Sequence, residues 1–411
     1  MASNRAGPRV LLAAAPFLLE QIRAAPDRHA RMFERARTEV GYAECMCSAP
    51  ARRLVIRLRE GRFHLAVWPG DGPSHAAECP FHRLDASASG LGGYSREAVF
   101  EDERGMHVRL DAALSLTGAS VADASPVVSA DSVSRSRATM GLKGLFDLLW
   151  EQAGLHRFAP SLRRSWWHCH RALMEQVVSD VTVNRQPLGQ ALLVVPPYRG
   201  PAAPGAGGAV ADFLARLGAK ERGRRRGLVL GEVKSVAASQ YGFRISLRHL
   251  REPLFAGEEL VTRVRSSHRA AFSGTRAEDS RQLGLFLVER TERGYLVVAD
   301  AAVVLTSVGY IPVESSYELA MIDALLAAGR RGVKPLRYDA RADVVFPDFV
   351  LVDDPEAADT VVEVWGITGR ADYERRKAEK IRYYQESGRT LLQWTVTEPM
   401  PELRLPRSRA R

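Results

Sequence analysis

VVFPDFVLVDDPEAADTVVEVWGITGRADYERRKAEKIRYYQE, residues 344–386, decides how the C-terminal fold is read. Short runs rich in β-branched and aromatic residues at 344–352 and 360–365 predict two strands, and the residues of 372–386 then fall into helical spacing. With a helix expected at 317–328 and a strand at 390–395, residues 311–400 predict a small α/β domain around a mixed sheet. The two strands carry Asp348 and Glu363, whose carboxylates stand side by side if both project from one face. In the helix that follows, Tyr373, Lys377, Lys380 and Tyr384 recur at spacings of four, three and four, so they share one face. Hydrolysis of a phosphodiester needs a divalent cation held by carboxylates, to polarise the phosphate and lower the pKa of water. Asp348 and Glu363 are the candidate Mg²⁺ ligands. Glu318, with Glu314 just before it, is placed to add a third oxygen or to bond a metal-bound water.

Upstream, strands are expected at 228–233, 242–247, 285–289 and 295–304, a β-rich module within 209–310. It contains a second acid-lysine pair, Glu232 and Lys234, but no Pro-Asp strand precedes it, so a salt-bridged or solvent-facing pair is expected there. Residues 138–198 show helical spacing at Leu142, Leu145, Phe146, Leu149 and Trp150, a stop at Gly154, a second helix at 166–178 and an apolar run at 191–195. That order fits a winged helix or a plain helical pair. Stretches 118–137, rich in Ser, Ala and Asp, and 199–208, rich in Gly, Ala and Pro, read as linkers; 401–411 reads as a basic tail.

Residues 1–117 open with helical sequence and continue into a β-hairpin, with Glu60-Gly61 between its strands. Cysteines bracket that hairpin: Cys45-x-Cys47 on one side, His75-x₃-Cys79-x₂-His82 on the other. Three thiolates and one imidazole make a tetrahedral Zn²⁺ site, and His75 and His82 compete for the fourth position. A ribbon of this size buries little core, so the metal is expected to supply folding energy. The fourth cysteine, Cys169, lies in Trp166-Trp167-His168-Cys169-His170 and is expected in a helix core.

The whole is therefore expected to be a multidomain α+β protein of 411 residues, too long for one ordinary core. Its 58 Lys+Arg against 48 Asp+Glu leave a charge of +10, which favours a polyanionic partner, nucleic acid first. Only six of the basic residues are lysines. Retention of Lys377 and Lys380 so close together therefore points to the compact, titratable ammonium that Arg lacks. Four cysteines are too few for a disulfide framework, which suggests a reducing, cytoplasmic setting. The apolar run 10–19 is far short of the ~20 residues that span a bilayer, lacks a clean cleavage site and is read as an ordinary helix, without membrane insertion.

PDF, EVWG and the YxxRxxxK of Tyr373, Arg376 and Lys380 resemble the PD-(D/E)xK nuclease superfamily, in the version whose lysine has moved to the helix. The resemblance covers about 90 residues and implies a restriction-endonuclease-like domain. It makes Asp348 and Glu363 metal ligands, Glu318 an auxiliary acid and Lys380 the displaced catalytic lysine, with Lys377 as second choice. The usual lysine position, two residues after the second acid, holds Trp365. Over most of the chain, CMC, HAAEC, GLKGLFDLLWEQAGLHRF, LVLGEVKSVAASQYGFRISLRH, YIPVESSYE and VKPLRYD resemble a bacterial domain of unknown function found with conjugative plasmids and integrative elements. That resemblance favours His75 as the fourth zinc ligand and implies a mobile-element setting. The expected function is a DNA-associated protein with a Mg²⁺-dependent nuclease domain; the alternative is a non-catalytic nucleic-acid-binding or assembly factor of a DNA-transfer apparatus.

Overall fold

The computed structural model describes residues 8–59, 62–68, 71, 74–76, 79–81, 98–102, 105–116, 139–178, 180–198, 206–220, 223–273, 280–336, 345–353, 360–366 and 371–403. The chain forms two compact units, Met1–Ser89 with Glu101–Gly105, and Gly90–Phe100 with Met106–Arg411. Both mix helices and sheets. Linker 118–137, the basic tail from 404 and His82 lie outside the described residues.

The first unit is a five-stranded sheet in the order Ala15–Leu18, Arg9–Leu12, Ala43–Cys45, Arg52–Arg59, Arg62–Val67, antiparallel throughout. The apolar run expected as a helix over 10–19 is instead a tight hairpin. Its turn residues, Ala13 and Ala14, take φ of 48° and 66°. Pro16, which lacks an amide hydrogen, suits an edge strand better than a helix interior. Val10 and Leu12 then point inward together and are fully buried, as the two-residue repeat of a strand requires. They meet Leu19, Ile22, Phe33, Leu54 and Phe81 in one core, where Phe33 stacks on Phe63 with centroids 5.2 Å apart. The hairpin that was expected to be a coreless ribbon thus belongs to a sheet with an interior of its own.

In the second unit the strand Gly223–Ser239 is the axis. Its first half, from Arg226 to Glu232, pairs antiparallel with Arg281–Arg290, while its second half pairs with Gly242–Leu247. Lys234 bulges out where the partner changes, and a bulge sharpens the twist that closure demands. Gly242–Leu247 pairs with Leu254–Ala256, which runs parallel to Leu296–Thr306, which returns to Arg281–Arg290. The pairings close on themselves, so these strands form a small barrel. Helix Glu258–Ser267 supplies Leu260, Val261 and Val264 to the same apolar lining as Val236, Ile245 and Val298, and so covers the barrel's interior. Helices Leu142–Gln152 and Trp166–Leu173 pack into one core with the barrel strands. Residues 138–198 and 209–310 therefore share an interior.

The C-terminal part of this unit has its own sheet, ordered Leu391–Thr395, Thr360–Trp365, Phe349–Leu351, Gly332–Val333, Arg157–Phe158. Thr360–Trp365 and Leu391–Thr395 are parallel, and parallel neighbours need a crossover; helix Ala371–Glu386 provides it. Helix Ser316–Ala327 covers the other side, its first turn fixed by the Ser315 hydroxyl, which accepts the Glu318 amide at 3.1 Å. Leu319, Ile322 and Leu325 of that helix pack on Phe349, Leu351 and Val362. Strand 349–351 is shorter than the expected 344–352; of the rest of that span, residues 345–348 and Val352 are described and are irregular chain on either side of it.

Candidate functional site

Asp348 and Glu363 meet at the end of a β ladder. Phe349 pairs with Val362 and Val350 with Val361, so one step further the register sets Asp348 beside Glu363. There the ladder stops, because the Asp348 side chain takes over as acceptor: its Oδ2 receives the Val364 amide at 2.7 Å. Pro347 immediately before it has no amide to offer a partner, which suits the point where a ladder begins. Asp348 is thereby locked in orientation by backbone.

Glu363 is 1% exposed. Lys380 Nζ donates to both its oxygens at 2.9 Å and to the Phe346 carbonyl at 2.7 Å, and Tyr384 OH donates to Oε1 at 2.6 Å. One turn away, Lys377 donates to Thr395 Oγ1 at 3.5 Å. Of the two helix lysines it is thus Lys380 that reaches the acid. Trp365, at the position where the superfamily pattern has its lysine, lies under both ammonium groups, 5.2 Å from Lys377 and 5.8 Å from Lys380, a cation–π arrangement.

Glu318 has a different partner. Its Oε2 accepts Lys334 Nζ at 2.7 Å and the Glu314 amide at 3.2 Å, and the pair is buried on both sides. Lys334 also sits 5.1 Å from the Phe349 ring. Sequence reasoning missed this lysine, although its rarity was a signal: it is one of the six in the chain. It likewise named Tyr384 only as part of a helix face and not as a donor to Glu363.

Electrostatically Asp348 feels both ion pairs. Burial raises its pKa; Lys334 opposes this, Glu363 adds to it, and the Val364 amide and Lys380 oppose it further. Burial also raises Glu363 against the pull of Lys380 and Tyr384, and it lifts Glu318 to about 7 against the pull of Lys334. Burial works against the charge of Lys334 too, but Glu318, Asp348 and Glu314 together outweigh it and hold the ammonium protonated. The partners shift in the same direction because several acids share one lysine.

The N-terminal cluster has a different chemistry. Cys45 ends a strand, Cys47 follows in the turn, and His75 and Cys79 come from the segment after the hairpin. Cys45 Sγ lies 3.5 Å from Cys79 Sγ; His75 Nδ1 lies 3.3 Å from Cys47 Sγ and 3.7 Å from Cys79 Sγ. Bonds of about 2.3 Å to a tetrahedral zinc put ligand atoms about 3.7 Å apart, so the spacing fits an ion among them. Backbone amides of Ala76 and Phe81 donate to Cys47 and Cys79 at 3.4 Å each, orienting the sulfurs. The hydrogen bond from the Cys45 thiol, helped by those from His75 and Phe81, lowers the Cys79 pKa to about 4 despite burial; the same bond and burial raise Cys45. Cys45, Cys47, His75 and Cys79 can therefore bind a metal such as zinc. Burial pushes Cys169 in its helix up to about 12, an unreactive thiol.

Among the described residues no other set of three or more His, Cys, Asp or Glu side chains gathers its ligand atoms within 4.8 Å, so Glu318, Asp348 and Glu363 are not a three-carboxylate cluster. The decoy Glu232 is buried and bonded to Arg281 at 3.0 Å, Arg248 at 2.8 Å and Tyr310 at 3.0 Å, while Lys234 faces solvent. Among the described residues no helix is long and apolar enough to cross a membrane. No curated protein and no solved structure matches the chain. The chain belongs to the family described as "Protein of unknown function (DUF1173)", whose model matches residues 20–397.

Proposed function

We propose that residues 311–400 form a restriction-endonuclease-like, Mg²⁺-dependent nuclease domain, in a DNA-associated protein of a mobile genetic element. The observation that carries this is the Lys380 ammonium bonded at 2.9 Å to both oxygens of Glu363, beside Asp348 just ahead of the neighbouring strand. The order helix 316–327, three antiparallel strands, helix 371–386, parallel strand makes a small α/β arrangement around a mixed sheet, as the resemblance implies, and supports the reading. Asp348 and Glu363 fit a cation that binds through one or two carboxylates and keeps several waters. Asp348 Oδ1 accepts no hydrogen bond among the described residues, and Glu363 would exchange a Lys380 contact for the ion. When bound, Mg²⁺ polarises the scissile phosphate and acidifies a water. Lys380, anchored on the Phe346 carbonyl, balances the acids and stands ready to orient that water. Lys334 offsets the charge of Glu318 and Asp348.

Incubating the full chain with supercoiled plasmid and Mg²⁺ or Mn²⁺ tests the proposal. Nicking by the wild type, and its loss in Asp348→Ala and Lys380→Ala, is the expected result; equal cleavage by Asp348→Ala sinks the assignment. One observation favours a second reading, a non-catalytic platform in a DNA-transfer apparatus: both Glu363 oxygens are already satisfied by Lys380 and Tyr384. Salt-dependent DNA binding that survives Asp348→Ala and Glu363→Ala, with no cleavage under either metal, selects it.

A further inference from the structure

The barrel's topology carries an inference independent of the C-terminal acids. Taken in chain order, its strands are Gly223–Ser239, Gly242–Leu247, Leu254–Ala256, Arg281–Arg290 and Leu296–Thr306. Around the ring they run first, second, third, fifth, fourth and back to first. The third and fifth are parallel and every other pair is antiparallel. Helix Glu258–Ser267 lies between the third and fourth strands in sequence and covers the interior. Strand order, single parallel contact, helix placement and a first strand long enough to pair on both sides are together those of the five-stranded barrel that binds oligonucleotides and oligosaccharides. Such barrels bind across the outer face of strands two and three, between the loop joining strands one and two and the loop joining four and five.

Topology alone does not assign a ligand, so the side chains on that face decide. Tyr241, at the tip of the loop between strands one and two, is 87% exposed, and Tyr295, at the end of the loop between four and five, is 55% exposed. On strand three Phe255 faces outward between buried Leu254 and Ala256, and its ring meets Tyr295 edge-on at 5.7 Å. Register sets exposed Arg244 opposite Phe255 on strand two. Beside them lie the small outward residues Ser235 and Ala237, paired with Ser246 and Arg244. Gly242 lets the loop approach strand three: at φ +129°, a Cβ there would stand 2.4 Å from the Ala256 carbonyl. Exposed Lys234 and Arg293 add positive charge near the face, with Glu292 the acid beside Arg293.

We infer that this face binds single-stranded DNA. Aromatic rings at both loops and on the floor offer stacking surfaces for successive unpaired bases, and Arg244 offers a phosphate or stacking partner. A duplex hides its base faces and cannot use them. The charge of the face and of the chain, +10 overall, favours a polyanion over a neutral oligosaccharide.

The test is fluorescence anisotropy of a labelled oligothymidine of about sixteen nucleotides, the upper end of such site sizes. The full chain is titrated without added Mg²⁺, so binding is read apart from cleavage. Expected are preference for the single strand over a duplex of equal length and about tenfold weaker binding for Tyr241→Ala or Tyr295→Ala, the low-to-middle range for losing one stacked base. Tyr241→Phe should bind as wild type, and thermal melts of all three variants should match it. A Tyr241→Ala/Tyr295→Ala double variant that binds within twofold of wild type, or equal affinity for the duplex, overturns the inference. Loss of plasmid nicking in Asp348→Ala with oligothymidine binding intact leaves both proposals standing. Absence of nicking in the wild type removes only the nuclease reading.

Discussion

Asp348 is held in a place that disfavours its charge. Burial raises its pKa above the ordinary 3.8, so the folded chain binds the proton more tightly than the unfolded chain does. Stability is then lost as pH rises from near 3.8 through the folded value, and it stays lost above. Asp348→Asn removes that cost while its amide oxygen still accepts the Val364 N–H. The expected result is a higher urea midpoint than wild type at pH 8 and the same midpoint at pH 3.5, where both side chains are neutral. A carboxylate whose removal stabilises the fold is one retained for chemistry. Lys334 predicts the opposite sign. Lys334→Met strands Glu318 in a buried site and should cost about 3 kcal/mol in urea unfolding, and adding Glu318→Gln should recover most of it. At this scale the sequence was legible in part. The spacing of Tyr373, Lys377, Lys380 and Tyr384 marks one helix face, but which lysine meets Glu363 depends on how that helix lies over the strand. The Glu318–Lys334 pair joins residues sixteen apart through no repeating pattern at all.

Elements behave according to what lies against them. Gly332 sits in a central strand where a Cβ would stand 2.4 Å from the Val350 carbonyl and 2.6 Å from the Phe158 ring. Gly332→Ala therefore forces the strands apart, and the midpoint of chemical denaturation should fall by the equivalent of about 2 kcal/mol; an unchanged midpoint would show that the sheet yields there. Strands 360–365 and 391–395 and helices 316–327 and 371–386 lie close to their expected bounds because each is a run of matching propensity set off by Gly, Pro, Ser or Asp on either side. Residues 10–19 were misread for the converse reason. Their apolar residues are continuous, so periodicity could not separate strand from helix, and the pairing of Val10 with Cys45 and Leu11 with Glu44 decided the matter. Likewise Leu228, Val229 and Leu230 are all fully buried. A strand covered on both faces shows no alternation from which to infer what covers it.

At the scale of the molecule the metal cluster belongs to the first unit and the barrel and acid centre to the second. Zinc analysis of freshly purified protein should find one ion per chain, and Cys79→Ser should lose it. Chelation should then speed amide exchange at Val10, Leu12, Cys45 and Leu54, which form one core, while Leu228 to Leu230 keep their protection. Uniform loss of protection across both units would contradict that separation. What the sequence determined by itself is whatever local spacing encodes: a Cys/His ligand set bracketing a hairpin, an acid just ahead of one strand and another within the next, a helix with lysines on one face, an excess of positive charge. Tertiary structure alone decided that the strands from Gly223 to Thr306 close into a ring, that Glu318 answers to Lys334, and that the first hairpin completes a sheet. Those facts rest on contacts between distant residues, and hydrophobic burial, which drives them, is non-directional. Which apolar face meets which is settled only when all of them pack at once.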